Sequence, residues 1–263
     1  MTNAWGVVNL KDFKWAIVTG GSSGIGREFV LELSRRKLNV IATGRDEKRL
    51  KQLADEVKEK FKTQVHTFVV DLSSPQKVKR FIEEVSSFEI DLLVNNAGFG
   101  LYGEFVKLDS EEIENMIEVN VKALTVLSHH FAKQMVQRRR GGIINVSSIA
   151  GYMPLAYFNA YSATKAYVYY LSLALWAELK KYNVHVLCVA PGPTRTRFFE
   201  RAFKDQSFRT FGKLMDPKQV AFGAIEAFEK RKPIYIPAFK NRLISFAAKK
   251  LLPDRLLARF TAG

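Results

Sequence analysis

Tyr161 and Lys165 stand four residues apart, and Ser148 precedes the tyrosine by thirteen. On a helix the first two side chains leave from one face, a turn apart. An ammonium beside a phenol favours the phenolate, so this spacing predicts a tyrosine pKa lowered from its usual value of about 10 toward working pH. A serine at the end of a preceding strand could hydrogen-bond the same substrate oxygen. The chemistry implied is proton transfer at an oxygen held between Ser148 and Tyr161. Of nine tyrosines, only Tyr161 has a lysine at that spacing. Taken alone, the pair also fits an ordinary surface contact.

Upstream, the run from Trp15 to Thr19 leads into Gly20-Gly21-Ser22-Ser23-Gly24-Ile25-Gly26. Arg27 to Arg36 then follows with helical apolar spacing at Phe29, Val30 and Leu33. A short strand, a glycine-rich turn and a helix form the unit that cradles a dinucleotide pyrophosphate. Glycines let the backbone approach the phosphates, and the helix N-terminus offers free N–H groups and the positive end of its dipole. A purely structural turn is the alternative.

These motifs, with Asn95-Asn96-Ala97-Gly98, Asn120 and Pro191-Gly192-Pro193-Thr194, occur in an order and spacing that resembles the short-chain dehydrogenase/reductase family. The likeness is to its compact single-domain branch and runs from residue 12 to about 237. It implies an NADP(H)- or NAD(H)-dependent oxidoreductase of carbonyl and alcohol groups. On that resemblance Tyr161 is the proton donor, Ser148 orients the substrate oxygen, and Lys165 holds the tyrosine pKa down and bonds the nicotinamide ribose. Asn120 resembles the residue that holds a water linking Lys165 to solvent; its alternative is a polar kink in a long helix. The implied cofactor contacts are Gly20, Ser22, Ser23, Gly24, Ile25, Gly26, Asp71, Leu72, Asn96, Ala97, Gly98, Tyr161, Lys165, Pro191, Gly192 and Thr194. Asp71 would sit at the adenine, or merely cap a strand end. Relatives usually form homodimers or homotetramers through the long helices here near 110–137 and 159–182. The tail around Leu251-Leu252-Pro253 also resembles a subgroup of generic bacterial and archaeal reductases.

Cofactor choice turns on the end of the second strand. NAD-selective relatives carry an acid there, which bonds the ribose hydroxyls and repels a 2′-phosphate. This chain has Gly44 followed by Arg45. A guanidinium suits a phosphate through paired, charge-assisted bonds, so NADPH is expected. Two readings stand beside this: Arg45 as a solvated arginine at a helix start, and Ser23 where many NADP-selective relatives place a second base. Asp46 is expected to cap the helix that begins at Glu47.

Strand-like runs near 14–19, 38–43, 65–70, 90–94, 143–147, 184–190 and 233–236 alternate with amphipathic helical stretches. That alternation predicts an α/β fold of Rossmann type, a doubly wound parallel sheet with helices on both faces. Ligands in such sheets bind beyond the carboxyl ends of the strands. Gly20, Asn95, Ser148 and Pro191 all fall just after strand-like runs. One site would collect them.

Composition narrows the remaining possibilities. The 263 residues, 47% hydrophobic and 25% charged, suit one globular domain over 1–263. No apolar run reaches membrane-span length, and Met1 to Lys14 shows no secretory pattern, which leaves a cytoplasmic location as the expectation. Cys188 lies in a strand-like run and reads as a buried, inert thiol. His129 and His130 are adjacent on a helix and cannot form an i, i+4 metal pair. His66 and His185 lie in strand-like runs, with no partner evident, and no metal is expected. Arg138-Arg139-Arg140 at a helix end would complement the dipole.

The formal charge is +15, and residues from Arg195 onward hold sixteen Lys/Arg against six Asp/Glu. Within 194–216, a lid in relatives, Phe198, Phe199, Phe203, Phe208 and Phe211 interleave with Arg195, Arg197, Arg201, Lys204, Arg209 and Lys213. An apolar substrate carrying an anionic group would fit, such as an acyl thioester with its phosphates. So would a lid whose aromatics pack on the fold while its charges face water. In the tail, 239–263, Ile244, Ala247, Ala248, Leu251 and Leu252 follow helical spacing beside Arg242, Lys249 and Lys250. This segment could lie on an anionic membrane surface, or pack on its own domain or a partner subunit. Nucleic-acid binding is not expected, because no recognition motif accompanies the charge. A non-catalytic NADP(H) sensor is a further alternative, opposed by the intact set Asn120, Ser148, Tyr161 and Lys165.

Overall fold

The computed structural model describes residues 6–203 and 214–262. Seven strands form one parallel sheet in the order β3-β2-β1-β4-β5-β6-β7. They are β1 (Trp15–Val18), β2 (Asn39–Gly44), β3 (Val65–Val69), β4 (Ile90–Asn95), β5 (Gly141–Val146), β6 (Val184–Val189) and β7 (Ile234–Tyr235). The expected doubly wound α/β sheet is present, each strand within two residues of its sequence-read bounds. The β-branched, two-sided apolar runs explain why: β4, β5 and β6 are buried along their whole length.

Side-chain alternation sends the two faces of the sheet into separate cores. Ala16 and Val18 of β1 face a layer made by α1 (Gly24–Arg35), α2 (Glu47–Phe61) and α8 (Pro217–Glu229), with Phe29, Leu33, Leu50 and Phe228 at its centre. Ile17 faces the opposite layer, made by α3 (Pro75–Glu84), α5 (Leu124–Arg138) and α6 (Asn159–Leu179), with Phe81, Leu127, Phe131 and Met135. Each fully buried side chain of this size contributes on the order of 1.5–3 kcal/mol. Asp46 caps α2 as expected, accepting from the Arg49 amide at 3.1 Å.

The helical stretch near 110–137 is not one regular helix. It runs as α4 (Ser110–Ile117), a π-helical segment (Glu118–Ala123) and α5, and Asn120 sits in the π segment. Such bulges mark places where a side chain is re-aimed. The chain is completed by α7 (Phe198–Phe203), α9 (Phe239–Lys250) and α10 (Asp254–Ala262).

Two histidines have partners that the sequence did not reveal. His66 packs against both Trp15 and Phe88, each ring centroid 5.3 Å away. His185 is buried, bonds the Lys232 carbonyl at 3.1 Å and lies on Phe228. Burial and the nearby Arg231 push its pKa down to about 4, so it is neutral. Burial likewise pushes the Cys188 thiol up to about 12, which keeps it inert. The arginine run is structural: Arg138 donates to the Ile90 carbonyl at 2.7 Å, and Arg140 pairs with Glu89 and Asp91. No group of three or more metal-ligating side chains occurs among the described residues.

Candidate active site

The sheet order reverses between β1 and β4, and the crevice beyond those strand ends is where doubly wound folds bind ligands. A cleft of about 900 Å³ opens there. Its floor at one end is the glycine turn after β1. Gly20 has φ +67° and Gly24 has φ +56°, conformations that L side chains rarely adopt. Gly26 lies behind the turn, and a Cβ on it would stand 2.2 Å from the Gly20 carbonyl oxygen. Ser23 makes no side-chain bond at the N-cap of α1, leaving the first-turn N–H groups available to an anion. Ser22, Ser23 and Ile25 line the cleft beside them.

Thr19 stitches this turn to the loop after β4. Its hydroxyl accepts from the amides of Asn96 and Ala97, both at 3.0 Å, and Asn96 Nδ2 returns to the Thr19 carbonyl at 3.0 Å. Asn95 does not reach the cleft. It is buried at the end of β4, where Nδ2 bonds Ser128 and Asn145. The narrow turn, the uncapped helix start and the adjacent Asn96-Ala97-Gly98 wall together fit a dinucleotide.

Further along, Gly44 has no room for a side chain, since an added Cβ would lie 2.9 Å from Ser22 Oγ. Arg45 is exposed at the cleft edge and forms no hydrogen bond or ion pair with the described residues. Arg49 of α2 also lines this end, held to Asp46 at 3.1 Å. It is a second base near Arg45 that the sequence reading did not find. Asp71 bonds the turn after β3 and also faces the cleft. Burial opposes its ionisation, but bonds from the Ser73 hydroxyl (2.8 Å) and amide (3.1 Å) outweigh it and hold the carboxyl below its ordinary range. It lines the cleft with Leu72.

At the other end, Ser148 N-caps a short turn after β5, accepting from the Ala150 amide at 3.1 Å. Tyr161 and Lys165, on the first turns of α6, are 6% and 4% exposed, and both line the cleft with Ser148. The electrostatics differ from the simple i, i+4 expectation. Lys165 Nζ donates to the Val146 carbonyl at 2.9 Å and lies 5.7 Å from the Tyr161 ring centroid. Burial raises the phenol above its ordinary range, and a hydrogen bond with Ser148 works against that shift. Burial also brings Lys165 down to about 8. The group that resists ionisation is thus the phenol, which suits it to giving up a proton only to a strongly developing oxyanion.

Asn120 lies behind Lys165 rather than in the cleft wall. Its Nδ2 donates to the Phe99 carbonyl (2.9 Å) and to Thr164 Oγ1 (3.1 Å), and its Oδ1 accepts from the Phe99 amide at 3.1 Å. A Cβ on Gly98 would meet Asn120 Oδ1 at 2.9 Å and Lys165 Nζ at 3.2 Å, so the two side-chain ends converge on that glycine. Pro191, Gly192 and Thr194 line the same end. The Pro191 carbonyl accepts from the Ile149 amide at 3.0 Å, and the Thr194 hydroxyl donates to the Gly192 carbonyl at 2.8 Å.

The remaining wall is apolar; Phe198 is one of the lid aromatics singled out in the sequence, whereas Phe158, Met153 and Leu155 were not found there. Phe158 stacks at 4.5 Å and Phe198 at 5.2 Å from the Tyr161 ring, with Met153, Leu155 and Ile244 nearby in the lining. Arg201 of α7 lays its guanidinium 3.4 Å over the Phe99 ring. The Arg195 amide donates to the Met215 carbonyl and the Met215 amide to the Pro193 carbonyl, both at 2.9 Å. Lys204, Phe208, Arg209, Phe211 and Lys213 lie outside the described residues.

The family model for short chain dehydrogenases matches residues 14–207. The chain belongs to the short-chain dehydrogenase/reductase family. An uncharacterized oxidoreductase of Staphylococcus saprophyticus is 34% identical over 226 residues, covering 85% of this chain and 94% of that protein. The very-long-chain 3-oxoacyl-CoA reductase of Rattus norvegicus is 34% identical over 183 residues, 68% of this chain but only 58% of that protein. Among solved structures, a short-chain dehydrogenase from Sphingobium yanoikuyae in complex with NADPH is 32% identical. It superposes with a TM-score of 0.82 and covers 86% of this chain and 88% of its own. Oxidoreductase chemistry with a nicotinamide cofactor comes with family membership.

Proposed function

We propose that this protein reduces the carbonyl of an apolar substrate to an alcohol, reversibly, using NADPH. Bound between the glycine turn, the Asn96–Gly98 loop and the Pro191–Thr194 loop, NADPH would supply the hydride. The chain's own residues supply position and a proton. Ser148 orients the carbonyl oxygen, and Tyr161 gives its phenolic proton to that oxygen as charge builds on it. Lys165, charged below pH 8, stabilises the resulting phenolate, and Asn120 fixes the backbone beside it. The observation that carries this reading is a buried phenol hydrogen-bonded to Ser148, with the Lys165 ammonium 5.7 Å from its ring, in an aromatic-walled cleft.

Phe158, Phe198, Leu155 and Met153 favour a lipid-like body, and Arg197 and Arg201 favour an anionic end, so a keto-acyl thioester is the substrate class proposed. The rat relative's name points the same way. In a series of 3-keto thioesters, kcat/KM should rise roughly tenfold for each two methylenes until the wall is filled, because each buried methylene contributes about 0.8 kcal/mol. A flat series, or preference for a small polar carbonyl, would contradict the assignment.

Arg45 and Arg49 support NADPH over NADH. Arg45→Ala should weaken NADPH about ten- to hundredfold and leave NADH nearly unchanged, since a charge-assisted bond contributes roughly 1.5–3 kcal/mol. Equal loss for both cofactors in a fluorescence titration would make Arg45 structural. Two copies are proposed to pair through α5 and α6, which leave Val126, Tyr167 and Tyr170 exposed.

A further inference from the structure

Helix α9 carries its large apolar side chains on the side facing water. Its buried residues are Asn241, Ser245 and Ala248, small or polar, and Asn241 packs on Gly192, where an added Cβ would stand 2.5 Å from its Nδ2. This differs from the expected stripe of Ile244, Ala247, Ala248, Leu251 and Leu252. Of that stripe Ala248 is buried while Ile244, Leu251 and Leu252 are exposed, and Phe239, Leu243 and Phe246 are 74%, 58% and 56% exposed beside them. At about 100° per residue Phe239, Leu243 and Phe246 share one stripe opposite the buried face. Lys240 borders that stripe on one side and Arg242 on the other, Lys250 closes its end, and Lys249 turns inward to the Tyr169 hydroxyl. The tail from Phe239 holds six Lys/Arg against Asp254 alone.

We propose that the outer face of α9 docks on an anionic lipid surface. An apolar stripe bordered by bases is the pattern of a helix lying in the headgroup region, with its rings among the acyl chains and its ammonium and guanidinium groups on the lipid anions. A second copy of the chain fits poorly, because a two-fold contact would bring basic borders against basic borders. Nucleic acid would take the bases but leave three exposed apolar side chains against phosphate.

Docking also sets where the cleft opens. Ile244, on the flank of α9, is part of the cleft lining. Thr261 of α10 bonds the Ala156 amide at 3.1 Å and the Pro154 carbonyl at 3.2 Å, beside Met153 and Leu155 of the same wall. The lipid-facing tail and the apolar wall are therefore one packed unit, and an amphiphile would reach the cleft from the surface on which α9 lies. The docking itself is independent of the reaction proposed above.

Flotation of the full-length protein with vesicles of phosphatidylcholine, alone or mixed with phosphatidylglycerol, tests this at low and high salt. Binding should need the anionic lipid and weaken with salt. Lys240→Glu/Arg242→Glu should lower partitioning at least tenfold, each basic group contributing about fivefold near an anionic surface. Phe239→Ser/Phe246→Ser should do the same, while light-scattering size and NADPH-linked turnover of a water-soluble ketone stay unchanged. No binding, or equal binding to neutral vesicles, would overturn the proposal. So would a serine variant that splits an oligomer, which would make the face a subunit contact.

Discussion

Tyr161→Phe should lose about 100-fold or more in carbonyl reduction while binding NADPH within a few-fold of the unaltered protein. Among the described residues, the variant removes the hydroxyl that the proposed mechanism uses to protonate a substrate oxygen beside Ser148. Packing should survive, because the ring keeps its contacts with Phe158 and Phe198 at 4.5 and 5.2 Å. Ser148 would not be orphaned, since its oxygen still accepts from the Ala150 amide and lies 3.4 Å from the Pro191 carbonyl. The loss should therefore fall on kcat, with melting temperature nearly unchanged. Comparable turnover by the variant would remove Tyr161 from the role of acid.

Lys165→Met should be as damaging to turnover, and its effect on stability should depend on pH. Burial lowers the lysine from 10.5 to about 8, so the folded state binds its proton less tightly than the unfolded chain does. Below pH 8 both states are protonated and the full cost is present; above the unfolded value both are neutral and it is gone. The unaltered protein should thus gain about 3 kcal/mol relative to the variant between pH 8 and 10.5. Methionine would forfeit the charge-assisted bond to the Val146 carbonyl, worth about 1.5–3 kcal/mol, which offsets most of that relief, so near pH 7 the variant should be about as stable as the parent. Reduction by the parent should decline above pH 8 as Lys165 loses its charge, and the residual activity of the variant should lack that limb. Denaturant melts across pH, beside pH-rate profiles, check both. A variant that is much less stable at pH 7 would show that the ammonium is a structural necessity rather than a tolerated cost.

The sheet was legible because its physics is local. Runs such as Val184–Val189 are too apolar and too β-branched for any other place, and the glycines at 20, 24 and 26 mark backbone that no side chain could follow. The same holds for Ser148, Tyr161 and Lys165, whose spacing along β5 and α6 brings them into one cleft. Their electrostatics were not legible. Spacing gives the distance between two side chains but not what else each one meets, and Lys165 turns to the Val146 carbonyl while burial governs the phenol.

Residues joined only by tertiary packing were also hidden. Phe158 precedes α6 with no distinguishing pattern, Arg49 looks like any helix-surface base, and Asn241 reaches Gly192 across 49 positions of sequence. The tail was only partly legible for a related reason. Helical spacing identifies a stripe, whereas which stripe faces the domain depends on the surface beneath it, and here that surface accepts Asn241, Ser245 and Ala248.

The central claim is that this cleft delivers hydride and proton to a carbonyl. The direct measurement is mass spectrometry of the alcohol formed from long-chain 3-keto thioesters, ketosteroids and small ketones with NADPH carrying deuterium at both positions of the nicotinamide C4. The account predicts one deuterium on the carbinol carbon, transferred by the unaltered protein to an apolar ketone and not detectably by Tyr161→Phe. Tight NADPH binding without label in any product across the panel would contradict it and identify a nucleotide sensor on a reductase fold.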